Sequence, residues 1–150
     1  MNTKSLISYG NRTDKSMKTI LRLERVRLKL TNKTINYLSE HDLTFNQFKV
    51  LEVLYHRGNL NIGAITKLTM STPGNITVVI RNLKRDKWIT SIADPEDKRA
   101  SILSITKKGI DIIEKVFPNH AKQLTDYLDV LDDKELDTLY DLLNKIYKDN

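Results

Sequence analysis

The sequence predicts a mainly α-helical fold carrying one small β-hairpin, and three observations predict it. Apolar residues recur at three- and four-residue spacing over most of the chain, in segments that open on capping residues. From Trp88 to Ile105 the period drops to two, the alternation of half-buried strands. The turn-forming run Asp94-Pro95-Glu96-Asp97-Lys98-Arg99 divides that stretch in two. At 150 residues, 39% hydrophobic and 29% charged, the chain has enough apolar material for a single compact domain, or for one domain with an appended oligomerisation element. It has no cysteine, which excludes disulfides, Cys-ligated zinc, iron–sulfur clusters and cysteine nucleophiles. No run approaches 18 apolar residues and Met1 to Gly10 lacks an apolar leader, so the expectation is a cytoplasmic protein with no membrane partner.

Residues 1–13 are polar and are expected to form a loose or partner-docked arm. From about Asp14 to Ser39 there is no Gly or Pro, and Met17, Leu21, Leu28, Ile35 and Leu38 share one face of a long helix. Thr44-Phe45-Asn46-Gln47 reads as a capping box. Phe48, Leu51, Leu54 and Tyr55 follow it, with Gly58 as the stop. Asn61 caps a two-turn helix that turns Ile62, Ile65 and Leu68 inward. Thr72 caps the next, with Pro73 at the first helical position, where a missing N–H costs nothing. Behind it Ile76, Val79, Ile80 and Leu83 form the inner stripe. Asn75, Thr77, Val78, Arg81, Lys84 and Arg85 form a polar, basic outer face. Trp88–Ile92 and Ser101–Ile105 read as the two strands. Thr106 caps a helix that Pro118 is expected to kink or interrupt. Asp132-Asp133 opens a last helix with Leu136, Leu139, Leu143, Ile146 and Tyr147 in line. Tyr127, Tyr140 and Tyr147 are expected to pack in or near the terminal helices.

Three short helices followed by a hairpin, the third helix basic on its outer face, describe a winged helix-turn-helix. Such a helix buries its apolar stripe and leaves a polar face free to enter a DNA major groove. The candidate contacts are Ser71, Thr72, Pro73, Asn75, Thr77, Val78, Arg81 and Lys84 on the helix. On the hairpin they are Asp97, Lys98 and Arg99, where a cation can enter the negative minor groove. The charge pattern agrees with double-stranded DNA as partner. The net charge is +6, yet residues 1–56 sum to +5, residues 57–109 to +6 and residues 110–150 to −5. A basic body with an acidic end is the outline of a polyanion binder whose last segment faces away.

The segment Asp94-Pro95-Glu96-Asp97-Lys98-Arg99-Ala100-Ser101-Ile102-Leu103-Ser104-Ile105-Thr106-Lys107-Lys108-Gly109 resembles the wing signature of MarR-type transcriptional regulators. Leu43-Thr44, Gln47-Phe48 and Val50-Leu51, together with Thr72-Pro73-Gly74-Asn75-Ile76-Thr77, are similar to that family's second and recognition helices. The resemblance covers about residues 15–148. It implies a homodimeric, repressor-like regulator on a pseudo-palindromic operator, its N- and C-terminal helices interlocked with those of its partner. A small-molecule effector of unspecified identity would bind between the dimerisation and DNA-binding parts, and Asp97 would orient Arg99 toward the minor groove. The implied layout is an arm at 1–13, dimerisation helices at 14–40 and 110–150, and a DNA-binding region at 41–109, integrated in one domain. Three positions depart from the pattern: Lys87 stands where the family usually has Gly, Glu96 where it often has Arg, and Ile105 where it usually has Leu.

No metal or cofactor is expected. His41, His56 and His120 show no ligand spacing, although Glu40-His41 sets a carboxylate beside an imidazole. The five glycines are too scattered for a phosphate-cradling loop, and no nucleophile elbow or zinc-protease motif occurs, so no catalytic residue is assigned. Two other readings use the same surface: a sequence-neutral architectural DNA binder and a winged-helix protein-interaction adaptor.

Overall fold

A computed structural model describes residues 7–97 and 99–149. The elements run α1 (Asn11–Ser39), α2 (Phe45–Arg57), β1 (Leu60–Asn61), α3 (Ile62–Leu68), α4 (Pro73–Arg85), β2 (Ile89–Ala93), β3 (Ser101–Ile105), α5 (Lys107–Leu128) and α6 (Asp133–Lys148). The capping residues act as their chemistry dictates. Thr44 and Gln47 close a full capping box, as do Asp132 and Glu135. Asn61, Thr72 and Thr106 each accept the N–H three residues on. Each bond satisfies a helix-start donor that has no intrahelical partner.

The core lies where α2, α3 and α4 meet the sheet and α5. Phe48, Leu51 and Leu54 of α2, Ile65 of α3, Ile76 and Leu83 of α4, Leu103 of β3 and Ile113 of α5 are all buried there. α1 joins through its last turns: Thr34, Tyr37 and Leu38 are buried, and the Tyr37 hydroxyl donates to the Val116 carbonyl at 3.1 Å. Among the described residues no helix is long and apolar enough to cross a membrane.

Several expectations are corrected. The sheet has three antiparallel strands in the order β1-β3-β2, because Leu60 and Asn61 pair with Leu103 and Ile102 on the free edge of the hairpin. A two-residue strand between helices leaves no periodic signal. α1 begins at Asn11 rather than Asp14, since Asp14 accepts from the Ser8 hydroxyl at 2.5 Å and the Tyr9 N–H at 2.9 Å and ties the entering chain to the first turn. Those bonds also hold the Asp14 carboxyl below its ordinary range. The rest of the arm expectation, residues 1–6, falls outside the described residues. α5 passes through Pro118 without interruption. Pro118 and Glu114, whose carbonyl loses its partner, are both exposed, so solvent can satisfy that carbonyl.

Only Ile65 of α3 is buried, while Ile62 and Leu68 are exposed. Met17, Leu21, Leu28 and Ile35 share a face of α1, but in the single chain that face is open. α6 buries no side chain at all, and Tyr140 and Tyr147 are 66% and 83% exposed. Tyr127 alone of the three tyrosines reaches a neighbouring helix, its hydroxyl donating to the Val26 carbonyl at 3.4 Å.

Candidate nucleic-acid interface

α4 carries two chemistries on opposite faces. Ile76, Val79, Ile80 and Leu83 are at most 8% exposed and anchor the helix to the core. Thr72, Pro73, Asn75, Thr77, Val78, Arg81 and Lys84 are exposed together on the other side. Ser71 departs from this set: it is half-buried, and its hydroxyl shares a 2.8 Å hydrogen bond with that of Thr69. The Thr72 hydroxyl oxygen is engaged by the Asn75 N–H, and the Thr77 hydroxyl donates to the Pro73 carbonyl at 2.8 Å. The side chains of Asn75, Arg81 and Lys84 have no hydrogen-bond partner among the described residues. Arg85 differs, because it grips the Asp86 carboxylate through two nitrogens at 2.9 and 3.1 Å. That pairing draws the Asp86 carboxyl down and the Arg85 guanidinium up. The uncompensated charge of α4 therefore belongs to Arg81 and Lys84.

The hairpin tip is shaped by its own carboxylates. Asp94 accepts the Glu96 N–H and Asp97 accepts the Arg99 N–H, both at 2.9 Å, and the Ala100 N–H closes the turn onto the Asp97 carbonyl. Asp97 thus fixes the backbone of Arg99 and forms no ion pair with its guanidinium. The Arg99 side chain is exposed, with no ion partner among the described residues. Lys98 lies outside the described residues.

A clamp holds the hairpin against α4. Lys87, in the place of the usual glycine, adopts φ 61°, the left-handed region, and the helix ends in a complete Schellman motif. Its bonds run from the Lys87 N–H to the Lys84 carbonyl and from the Trp88 N–H to the Leu83 carbonyl. Asp42 and Met70 close α1 and α3 with the same pattern at φ 54° and 52°. The Thr106 hydroxyl reaches the Lys87 and Trp88 carbonyls at 2.8 and 3.1 Å, and the Trp88 carbonyl also accepts the Thr106 N–H. Gly109 sits so close that a Cβ there would lie 2.4 Å from the Trp88 carbonyl oxygen. Thr106 and Gly109 thus support the interface. In the sequence Thr106 reads as a cap alone, and the Thr106-x-x-Gly109 spacing is the signal for the clamp.

A second feature lies above the helix-turn-helix. A cavity of about 310 Å³ opens between α1, α2, the end of α3 and α5. His120 lines it at 7% exposure, packed edge-on against Phe48, with no hydrogen-bond partner for its Nδ1 among the described residues. Burial pushes the His120 imidazole below its ordinary pKa and the Glu52 carboxyl above its own. Lys49, on the same wall, is engaged by the Thr69 carbonyl and lies over the Phe45 ring. Among the described residues no group of three His, Asp or Glu is placed to hold a metal ion.

A helix with a buried apolar face and an exposed polar one, beside a hairpin whose tip presents a guanidinium without an ion partner among the described residues, defines the winged helix-turn-helix class. The chain belongs to the MarR family: residues 43–101 match that family. It is 33% identical over 116 residues to the Bacillus subtilis uncharacterized HTH-type transcriptional regulator YkoM, covering 77% of this chain and 75% of that one. It is 29% identical over 134 residues to the HTH-type transcriptional regulator MhqR of the same organism, covering 89% and 92%. A solved structure of a mutant MarR from E. coli, complexed with operator DNA, superposes with a TM-score of 0.80. That match has 23% identity and covers 91% of this chain and 99% of the other, a likeness of fold.

Proposed function

We propose that the chain is a homodimeric, sequence-specific regulator of transcription that acts as a repressor on a pseudo-palindromic operator and contributes binding rather than catalysis. One observation carries this reading: α4 exposes Asn75, Arg81 and Lys84 without side-chain partners among the described residues while its opposite stripe is buried. Unpaired donors on a rigid, outward helix are what base edges and phosphates require. In this reading Thr72, Pro73, Asn75, Thr77 and Val78 approach the groove floor, Arg81 and Lys84 reach base edges or backbone, and Arg99 enters the adjacent minor groove. Residues 41–109 bind DNA, while α1, α5 and α6 pair two chains and set the spacing of the two α4 helices. About 34 Å, one helical turn, matches successive major grooves. Such a protein works in the cytoplasm, where the chromosome is.

The cavity beside His120 is the seat we assign to an effector, since it lies between the pairing helices and the helix-turn-helix. A ligand that prefers a different spacing of the α4 helices lowers operator affinity, and by linkage DNA lowers ligand affinity equally.

Selection from randomised duplexes tests the reading. An enriched inverted repeat with half-site centres one helical turn apart is the expected result. Retention of all duplexes alike with steep salt dependence would instead identify an architectural binder, and retention of none an interaction adaptor.

A further inference from the structure

The crest of α4 carries residues that the fold itself does not call for. Gly74, Val78 and Arg81 stand at i, i+4 and i+7 and so share one line along the helix. That line lies opposite the buried stripe of Ile76, Val79, Ile80 and Leu83, with Asn75 and Thr77 on its two flanks.

Glycine is unfavourable in a helix relative to alanine. Gly74 is helical, needs no positive φ, and a Cβ added to it would meet nothing within 4 Å. Neither the backbone nor the packing of this chain asks for a glycine there. An object arriving from outside does, because a missing side chain lets a ligand come up against the helix backbone.

Val78, one turn on, is 44% exposed among Asn75, Thr77, Arg81 and Lys84. β-branched residues are poorer helix formers than Lys or Glu, so neither propensity nor burial selects valine at this place. The apolar spot extends to Thr77, whose hydroxyl proton is spent on the Pro73 carbonyl at 2.8 Å. Arg81 follows, exposed and without a side-chain partner among the described residues, whereas Arg85 farther along the same line grips Asp86.

We propose that this crest reads a thymine and, one or two base pairs away, a guanine: Gly74 lets α4 settle onto the floor of the major groove, Val78 packs on the thymine methyl, and Arg81 donates to guanine O6 and N7. The inference rests on the DNA-binding reading above and adds the base identities. The thymine C5-methyl is the apolar group that the major-groove edges offer, and the O6 and N7 acceptors of guanine match the fork of an arginine. From Val78 to Arg81 the helix rises about 4.5 Å. Base pairs are about 3.4 Å apart, so the two readers fall one to two pairs from each other. A phosphate would satisfy Arg81 but would leave the valine and the glycine unexplained.

Selection from randomised duplexes supplies the operator, and anisotropy titrations of that duplex and its base analogues test the assignment. The selected half-site is expected to hold a thymine and a guanine one or two pairs apart. Deoxyuridine in place of that thymine removes only the methyl and is expected to weaken the wild type about threefold while leaving Val78→Ala indifferent. 7-Deazaguanine removes the N7 acceptor and is expected to weaken the wild type about fivefold or more while leaving Arg81→Ala indifferent. Gly74→Ala is expected to match or exceed the wild type in urea stability yet to bind the operator about fivefold more weakly or worse. A selected half-site without that thymine and guanine overturns the assignment and leaves the regulator standing. So does an analogue that costs the wild type nothing, or that costs the matching variant as much, and so does a Gly74→Ala protein with undiminished affinity. Enrichment of no sequence overturns the regulator reading itself. Should a variant fail to fold, the two analogue duplexes with the wild type still decide.

Discussion

The Asp97 carboxylate accepts the backbone N–H of Arg99 at 2.9 Å and leaves the guanidinium without an ion partner among the described residues. The two residues thus hold separate roles, the acid setting the turn while the base stays available. Arg99→Ala is expected to weaken operator binding about tenfold or more and to lower the salt slope by about one. Asp97→Asn keeps an acceptor at the same place and is expected to bind within a few-fold of the wild type, whereas Asp97→Ala loosens the turn and falls between the two. Fluorescence anisotropy titrations across a salt series measure all three.

Lys87 and Gly109 predict effects of opposite sign at one clamp. Lys87 holds a left-handed conformation that costs a side-chain-bearing residue about 1 kcal/mol, so Lys87→Gly is expected to stabilise the protein by up to that amount. A methyl at Gly109 collides with the Trp88 carbonyl and with the Ile105 side chain at 2.7 Å. Gly109→Ala is expected to cost about 2 kcal/mol or more and, by shifting the hairpin against α4, to weaken DNA binding as well. Urea unfolding at fixed protein concentration reads both changes.

His120 predicts a stability that declines in mild acid. Burial holds its imidazole below the ordinary value of 6.5, so the unfolded chain takes up the proton first. Its contribution is complete above pH 6.5 and is lost as the pH falls from there through the folded-state value. Glu52 works in the reverse sense: its carboxyl is raised above 4.5 by burial, so its contribution is present below pH 4.5 and lost as pH rises through the folded-state value. His120→Leu should flatten the decline between pH 7.5 and 5.5, and Glu52→Gln should remove the gain that the protonated Glu52 carboxyl brings as the pH falls toward 4.5. Urea midpoints at pH 7.5, 5.5 and 4.5 check each.

The parts of the fold legible in the sequence are those where one residue answers a local demand. Thr44 with Gln47, Thr72 with Pro73 and Asp132 with Glu135 mark helix starts because an unpaired N–H needs an acceptor nearby. The inner stripe of α4 is legible for a similar reason, since Ile76, Val79, Ile80 and Leu83 repeat at the helix period. What stayed hidden depends on distant partners. β1 exists only because the hairpin has a free edge. Ser71 reads as an outward contact until Thr69 is seen to hold it. The left-handed turn at Lys87 is stabilised by Thr106, nineteen residues away, and nothing in a lysine announces it. The stripe of Met17, Leu21, Leu28 and Ile35 is correctly periodic, but the period says which residues share a face and not what covers it.

The bare apolar arc of α6 has a thermodynamic meaning in the proposed dimer. A helix with no buried residue contributes almost nothing to the cohesion of its own chain, so this molecule finishes folding only when it meets another. Dilution then acts on it as a denaturant does, and the cell's supply of the protein helps decide how much of each copy is built.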